Sequence, residues 1–227
     1  MDASAFLEVS HLNKQVPSGD SQITILKDVN LTIKNSETVA ILGASGSGKT
    51  TLLTLLAGLD LPTQGDIYFQ QHHLNALDEE QRALIRGASV GFIFQSFHLL
   101  PTLTALENVM LPLEIQYVSY ERCKKEATEW LHRVGLSDRL NHYPSKLSGG
   151  EQQRVAIARA FINNPKIVFA DEMTGNLDTH TGHLISDILF SLNTLQATTL
   201  VLVTHDETLA SRCQRRLLLN EGVLQPC

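Results

Sequence analysis

The sequence predicts an α/β fold built on a largely parallel sheet, and three observations predict it. Strand-like and helix-like segments alternate along most of the 227 residues, as parallel sheets with helical crossovers require. The runs Thr38–Leu42, Ile167–Ala170 and Thr199–Val203 are almost wholly apolar, which suits central strands covered on both faces. With 43% hydrophobic and 19% charged residues, the chain has ordinary globular composition and the length to bury a sizeable core.

The elements follow in order. Val29, Leu31 and Ile33 alternate with polar residues and form one buried strand face. Thr38–Leu42 is the next strand. The Leu-rich run Lys49–Ala57 is a helix ended by Gly58. A turn at Pro62–Gly65 leads to a strand at Asp66–Phe69. Asp78, followed by Gln81, marks a helix start, and Val90–Phe94 is again a strand. From Phe97 to Asn164 the patterning is mainly helical. Leu103, Leu106, Met110 and Leu113 recur at helical spacing, as do Cys123, Ala127, Trp130, Leu131 and Val134, closed by Gly135. The strand Ile167–Ala170, a helix over Asp178–Leu195, the strand Thr199–Val203 and a hairpin over Arg216–Gln225, turning at Glu221-Gly222, complete the chain. With no internal repeat or flexible linker, residues 1–227 read as a single domain. Its α/β core is 1–95 with 165–227, and 96–164 is an inserted helical subdomain.

Charge and cysteine usage narrow the functional classes. The 24 acidic and 18 basic residues give a net charge of −6, which disfavours nucleic acid as a partner. No apolar run reaches membrane-spanning length. Met1–Glu8 lacks the basic start and apolar segment of a secretory signal. The three cysteines, Cys123, Cys213 and Cys227, form no CxxC pair, which points to a reducing compartment and away from zinc or a disulfide framework.

The chemistry concentrates in a few segments. Strand Thr38–Leu42 runs into Gly43-Ala44-Ser45-Gly46-Ser47-Gly48-Lys49-Thr50 and then a helix, the context in which G-x-x-x-x-G-K-[ST] binds a nucleotide. Glycines bring backbone N–H groups close to phosphates, and the helix N-terminus adds partial positive charge. Lys49 reaches the β- and γ-phosphates, and the Thr50 hydroxyl ligates Mg²⁺. The loop alone leaves ATP and GTP both open. Strand Ile167–Ala170 delivers Asp171 and Glu172 to its C-terminal end, where open α/β sheets place their ligand crevice. Asp171 suits Mg²⁺, and Glu172 suits polarisation of the attacking water. His205, after Thr199–Thr204, has the same placement and can hydrogen-bond a γ-phosphate. Gln95, after strand Gly91–Phe94, can sense Mg²⁺ and the water while coupling the core to the insert. In Leu147-Ser148-Gly149-Gly150-Glu151-Gln152-Gln153-Arg154 a serine cap and two glycines open a helix, a second anion grip. One phosphate loop needs no second grip on the same phosphates, so this one is expected to act on the nucleotide of a second copy.

That octet resembles the signature of ABC-type ATPases. The order Gly43–Thr50, Gln95, Leu147–Arg154, Asp171-Glu172, Gly175-Asn176-Leu177-Asp178, His205 is similar to the family's motifs over nearly the whole chain. The resemblance implies a P-loop NTPase (RecA-like) core, an N-terminal antiparallel β subdomain and the helical subdomain. It implies ATP and Mg²⁺ as cofactors and hydrolysis of ATP by Glu172, His205 and Gln95. Thr50, Gln95 and Asp171 are then the metal residues. Gly43 to Thr50 and Thr51 hold the cis phosphates, Ser148, Gly149 and Gly150 act in trans, and Asp178 lines the dimer seam. The implied partners are a second copy and a separate membrane permease. The implied place is peripheral, on the cytoplasmic side of the inner membrane. The alternative is a soluble, non-transport ATPase of the same family.

Phe94-Gln95-Ser96-Phe97-His98-Leu99-Leu100-Pro101, Leu103–Val109 and Thr174–Asp178 resemble the lipoprotein-releasing and macrolide-exporting branch (LolD, MacB and YbbA types). Phe161 and Leu189–Asn193 point to the YbbA type. In that branch the permease carries a large extracytoplasmic domain. Two positions depart from the family pattern. Val16 stands where an aromatic residue commonly stacks on adenine, and it offers no π-stacking. Met173 replaces the proline that commonly follows the catalytic Glu, and is expected to loosen that corner.

Overall fold

The computed structural model describes residues 5–19 and 21–227. The reading of Met1–Glu8 as lacking a signal falls partly on residues 1–4, outside the described residues. In chain order the elements are β1 (Ala5–Ser18), β2 (Ser21–Lys34), β3 (Thr38–Leu42), α1 (Lys49–Leu56), β4 (Gln64–Phe69), β5 (His72–His73), α2 (Glu79–Ser89), β6 (Val90–Ile93), α3 (Ala105–Glu114), α4 (Tyr120–Arg133), α5 (Gly149–Phe161), β7 (Ile167–Asp171), α6 (Thr179–Gln196), β8 (Thr199–Thr204), α7 (Glu207–Ala210), β9 (Arg215–Asn220) and β10 (Val223–Pro226). They gather into two compact units. One is made from the chain up to Arg86 and from Thr199 onward, the other from Gly87–Thr198.

The first unit holds an antiparallel sheet in the order β2-β1-β4-β5. Strand β1 has no counterpart in the sequence reading. Its alternation is reset by register shifts between Val9 and Leu12, Leu12 and Lys14, and Lys14 and Gln15, where His11 takes φ 50°. Bulges of this kind break the period of two that marks a strand. Phe6, Leu7, Val9 and Leu12 are nevertheless buried. The same unit holds β3, flanked by β8 and β9, both parallel to it. Every residue of β8 is buried, as an apolar strand covered on both faces requires. The hairpin β9–β10 turns at Glu221 (φ 47°) and Gly222 (φ 82°), the positive pair that a tight two-residue hairpin needs. The Gly222 carbonyl accepts from Lys27 N–H at 2.8 Å and ties the hairpin to β2.

In the second unit β6 and β7 pair in parallel, with Ile93 opposite Ala170. Helices α3, α4 and α5 form the expected helical stretch, but residues 97–104 are a loop and residues 134–148 are a loop with two short 3₁₀ turns. Asn108 explains the first. Its buried amide accepts from Leu100 N–H at 2.8 Å and donates to the Leu100, Leu103 and Thr104 carbonyls at 3.1, 3.0 and 2.9 Å. These bonds satisfy backbone groups that a helix would otherwise satisfy itself. Helices α3 and α5 both open on reciprocal capping boxes, Thr104 with Glu107 and Ser148 with Glu151. Trp130 of α4 stacks on Phe161 of α5, ring centroids 6.0 Å apart, in a core that includes Cys123, Ala127, Leu131, Val109 and Ile157.

Candidate functional site

The phosphate loop leaves the C-terminal end of β3 and enters α1. Lys49 is 5% exposed, and its ammonium donates to the Gly43 and Ala44 carbonyls at 2.9 and 2.8 Å. Ala44, Ser45, Gly46 and Thr50 are exposed, whereas Gly43, Ser47, Gly48 and Thr51 are half-buried. Gly48 is the N-cap of α1, with φ 99°. No side chain caps the helix there, and its first turn holds no acidic residue. A helix start with neither a side-chain cap nor an acidic first turn is the arrangement that receives an anion. Ser47 Oγ is buried with no hydrogen-bond partner among the described residues. A buried cation, an orphaned hydroxyl and an uncapped helix start together fit a nucleotide phosphate.

The loop is shaped by its neighbours. A Cβ on Gly43 would stand 2.5 Å from the Leu219 carbonyl oxygen of β9, and one on Gly48 would stand 3.0 Å from Ile25 Cγ2 of β2. Leu42 of β3 faces Thr204 of β8 in register, so Gly43 and His205 leave neighbouring strands at the same end. His205 is exposed. The segment after it is pinned by Thr204 Oγ1, which accepts from Asp206 N–H at 3.0 Å, and by Asp206, which caps α7. Val16 is half-buried on β1 and pairs with Ile23 of β2.

The second unit gathers the other candidates. Gln95 follows β6, while Asp171 ends β7 and Glu172 follows it, so all three leave one end of a parallel pair. Gln95, Asp171 and Glu172 are half-buried. Glu172 adopts φ 42°, a left-handed backbone that a non-glycine residue adopts only when its surroundings hold it there. Met173 is 1% exposed. Asn176 Nδ2 donates to the Gln95 carbonyl at 3.0 Å, and a Cβ on Gly175 would stand 2.9 Å from Gln95 Nε2. Around Gly149 stand Leu177 and the Phe97 ring. A Cβ on Gly150 would stand 2.5 Å from Thr181 Cγ2. Asp178 caps α6, accepting from Thr181 N–H at 3.0 Å. Hydrogen bonds from the Thr181 side chain and backbone hold its carboxyl below the usual range. The structure thus brings Gln95, the Gly175–Asp178 segment and the start of α5 together, and it adds Asn176, to which sequence reasoning gave no role.

Residues 26–175 match the protein family described as ABC transporter. The chain belongs to the ABC transporter family. It is 52% identical over 99% of both chains to the "Uncharacterized ABC transporter ATP-binding protein YbbA" of Escherichia coli K12. It is 47% identical, again over 99% of both, to the "Lipoprotein-releasing system ATP-binding protein LolD" of Pseudomonas syringae pv. tomato. Among solved structures, a dimeric post-hydrolysis state of the ATP-binding cassette MJ0796 bound to ADP and Pi superposes with a TM-score of 0.90. The identity is 43%, covering 97% of this chain and 98% of that one. These similarities agree with the ABC-type resemblance of the motifs and with an α/β P-loop NTPase fold. Among the described residues no helix is long and apolar enough to cross a membrane.

Proposed function

We propose that each copy of the chain supplies half of an ATP site, and that two copies complete two such sites. The chain is an ATP-binding and ATP-hydrolysing subunit of an ABC transporter. Family membership, the relatives named as transporter ATP-binding proteins and the dimeric neighbour bound to ADP and Pi support this reading over the soluble alternative. The observation that carries it is the presence of two glycine-rich helix starts, one on α1 beside buried Lys49 and one on α5 capped by Ser148.

The residue roles follow from this arrangement. Residues Gly43 to Thr51 hold the phosphates of the chain's own nucleotide, with Lys49 exchanging carbonyl partners for phosphate oxygens. The Ser148 hydroxyl and the Gly149 and Gly150 N–H groups donate to the nucleotide of the second copy, and Asp178 lies at the seam. Glu172 orients water for attack, and His205 donates to the γ-phosphate. Among the described residues no group of three or more His, Cys, Asp or Glu side chains could hold a metal ion. The residues that would hold Mg²⁺ in this reading are Thr50, Gln95 and Asp171, whose oxygen donors suit that cation. Bound Mg²⁺ neutralises charge on the phosphate oxygens. Val16 packs against the base face without stacking.

The same reading places the chain on the cytoplasmic face of the inner membrane, driving a permease with a large extracytoplasmic domain. The permease docks beside Gln95 and the helical insert (residues 96–164). A cavity of about 320 Å³ lined by Phe92, Phe94, His98, Pro112, Arg159 and Asn163 supports that position.

The test is Glu172→Gln. This variant is expected to bind Mg-ATP, to dimerise on binding it and to lose turnover. Turnover equal to the parent's removes Glu172 from the reaction.

A further inference from the structure

We propose that Arg159 is a positioning residue that fixes the Gln95 loop to the signature helix, so that the residue serving one ATP and those serving the other move as one body. The inference rests on the site assignment above and extends it to a residue outside every motif.

Arg159 lies on α5, the helix that Ser148 caps. Its guanidinium donates to the His98 carbonyl at 2.7 Å and to the Phe97 carbonyl at 2.8 Å. Those two residues are consecutive, neither is glycine, and both have left-handed backbone, with φ 60° at Phe97 and 47° at His98. A loop does not select two such residues in a row unaided. The planar guanidinium fork supplies two donors in fixed relation, which an ammonium cannot reproduce. Among the described residues no carboxylate pairs with Arg159, and burial alone pulls its pKa below the ordinary value. Its charge is thus directed at the two carbonyls, and such charge-assisted bonds are the stronger kind. On one flank of the loop is the cavity described above, which Arg159, His98 and Phe94 line, with the His98 ring edge-on to Phe94 at 4.7 Å between centroids.

The front of the loop is held separately. Asn176 donates to the Gln95 carbonyl, Gly175 passes close to the Gln95 amide, and Phe97 and Leu177 stand over Gly149. Arg159 completes a closed path: α5 to Phe97 and His98, back along the loop to Gln95, through Asn176 and Leu177 to Gly149 at the start of α5. Without the guanidinium, Gln95 keeps the path through Asn176 and Leu177 to the start of α5 but loses the hydrogen-bonded tie to the body of that helix.

The experiment uses Arg159→Met, which keeps an apolar stem and removes the donors, and Arg159→Lys, which keeps the charge without the fork. Each is made in the full chain, alone and with Glu172→Gln. Folding is followed by circular dichroism, Mg-ATP affinity by equilibrium titration, ATP-driven dimerisation in the Glu172→Gln background, and kcat and KM by phosphate release. Folded Arg159→Met is expected to bind Mg-ATP within about twofold of its parent, because the phosphate loop belongs to the other unit. Its kcat and its ATP-driven dimerisation are expected to fall by about tenfold or more, a loss confined to steps after binding, with Arg159→Lys between the two. The proposal is overturned if folded Arg159→Met keeps parental kcat and dimerisation, or if its loss of ATP affinity matches its loss of kcat. Should Arg159→Met not fold, Arg159→Lys decides: a lower kcat at unchanged affinity supports the proposal, and parental values overturn it. Failure of Glu172→Gln alone to dimerise with ATP counts against the site assignment, not against Arg159.

Discussion

At the phosphate loop, residue identity is set by available space. Gly48 has φ 99°, and a methyl there would stand 3.0 Å from Ile25 Cγ2, a tight contact. An alanine there meets both backbone strain of about 1 kcal/mol and a contact that forces Ile25 to move. Gly48→Ala is therefore expected to lower Mg-ATP affinity by about tenfold while leaving the midpoint of thermal unfolding within a few degrees. Equilibrium nucleotide titration beside a melting curve checks it, and unchanged affinity would remove the geometric requirement. These glycines are legible in the sequence because contiguous residues form the loop. Asn176 and Arg159 are not, because an amide or a guanidinium gains a role only from the carbonyl brought beside it. Glu172 shows the same division: its placement after an apolar strand is local, but its left-handed backbone beside buried Met173 depends on packing.

Helix ends were the most legible elements, since capping chemistry is written over four residues. Asp78 and Gln81 exchange bonds of 2.8 and 3.1 Å between side chain and backbone, as their spacing predicts. Strand β1 was illegible because its bulges break the alternation. The start of α5 joins a capping box to an ion pair and so carries a pH dependence. Glu151 accepts from Ser148 N–H at 2.8 Å and from Arg139 Nε at 2.9 Å. The Ser148 backbone bond leads in holding its carboxyl below the ordinary value of 4.5, burial opposes it, and Arg139 adds to it. A depressed carboxyl contributes stability that is present above its ordinary value and lost as the pH falls through its folded value. The chain is expected to lose stability below about pH 5. Glu151→Gln is expected to be less stable at pH 7 and to show a flatter decline in acid. Unfolding midpoints measured from pH 7 to pH 3 check this, and parallel curves for the two proteins would exclude Glu151 as a source.

At the scale of the whole molecule, one chain carries a phosphate loop, a signature helix and an acidic strand end, and in the proposed dimer the two glycine-rich helix starts serve different nucleotides. ATPase activity per chain is therefore expected to rise with protein concentration in dilute solution, where monomers predominate, and to level off once dimers form. Turnover measured over a wide range of enzyme concentration checks this; a constant value per chain down to the lowest dilution would place a complete site in each monomer. The sequence by itself determined the α/β class, the phosphate loop, the signature octet, the acidic pair and most helix boundaries, because each depends on residue types within a few positions of one another. Only the tertiary structure decided which carbonyls meet Arg159, some sixty residues away along the chain, and which β9 carbonyl leaves Gly43 no room for a side chain. The reason is physical: contacts between distant segments are set by how whole elements pack, and no short stretch of sequence contains both partners.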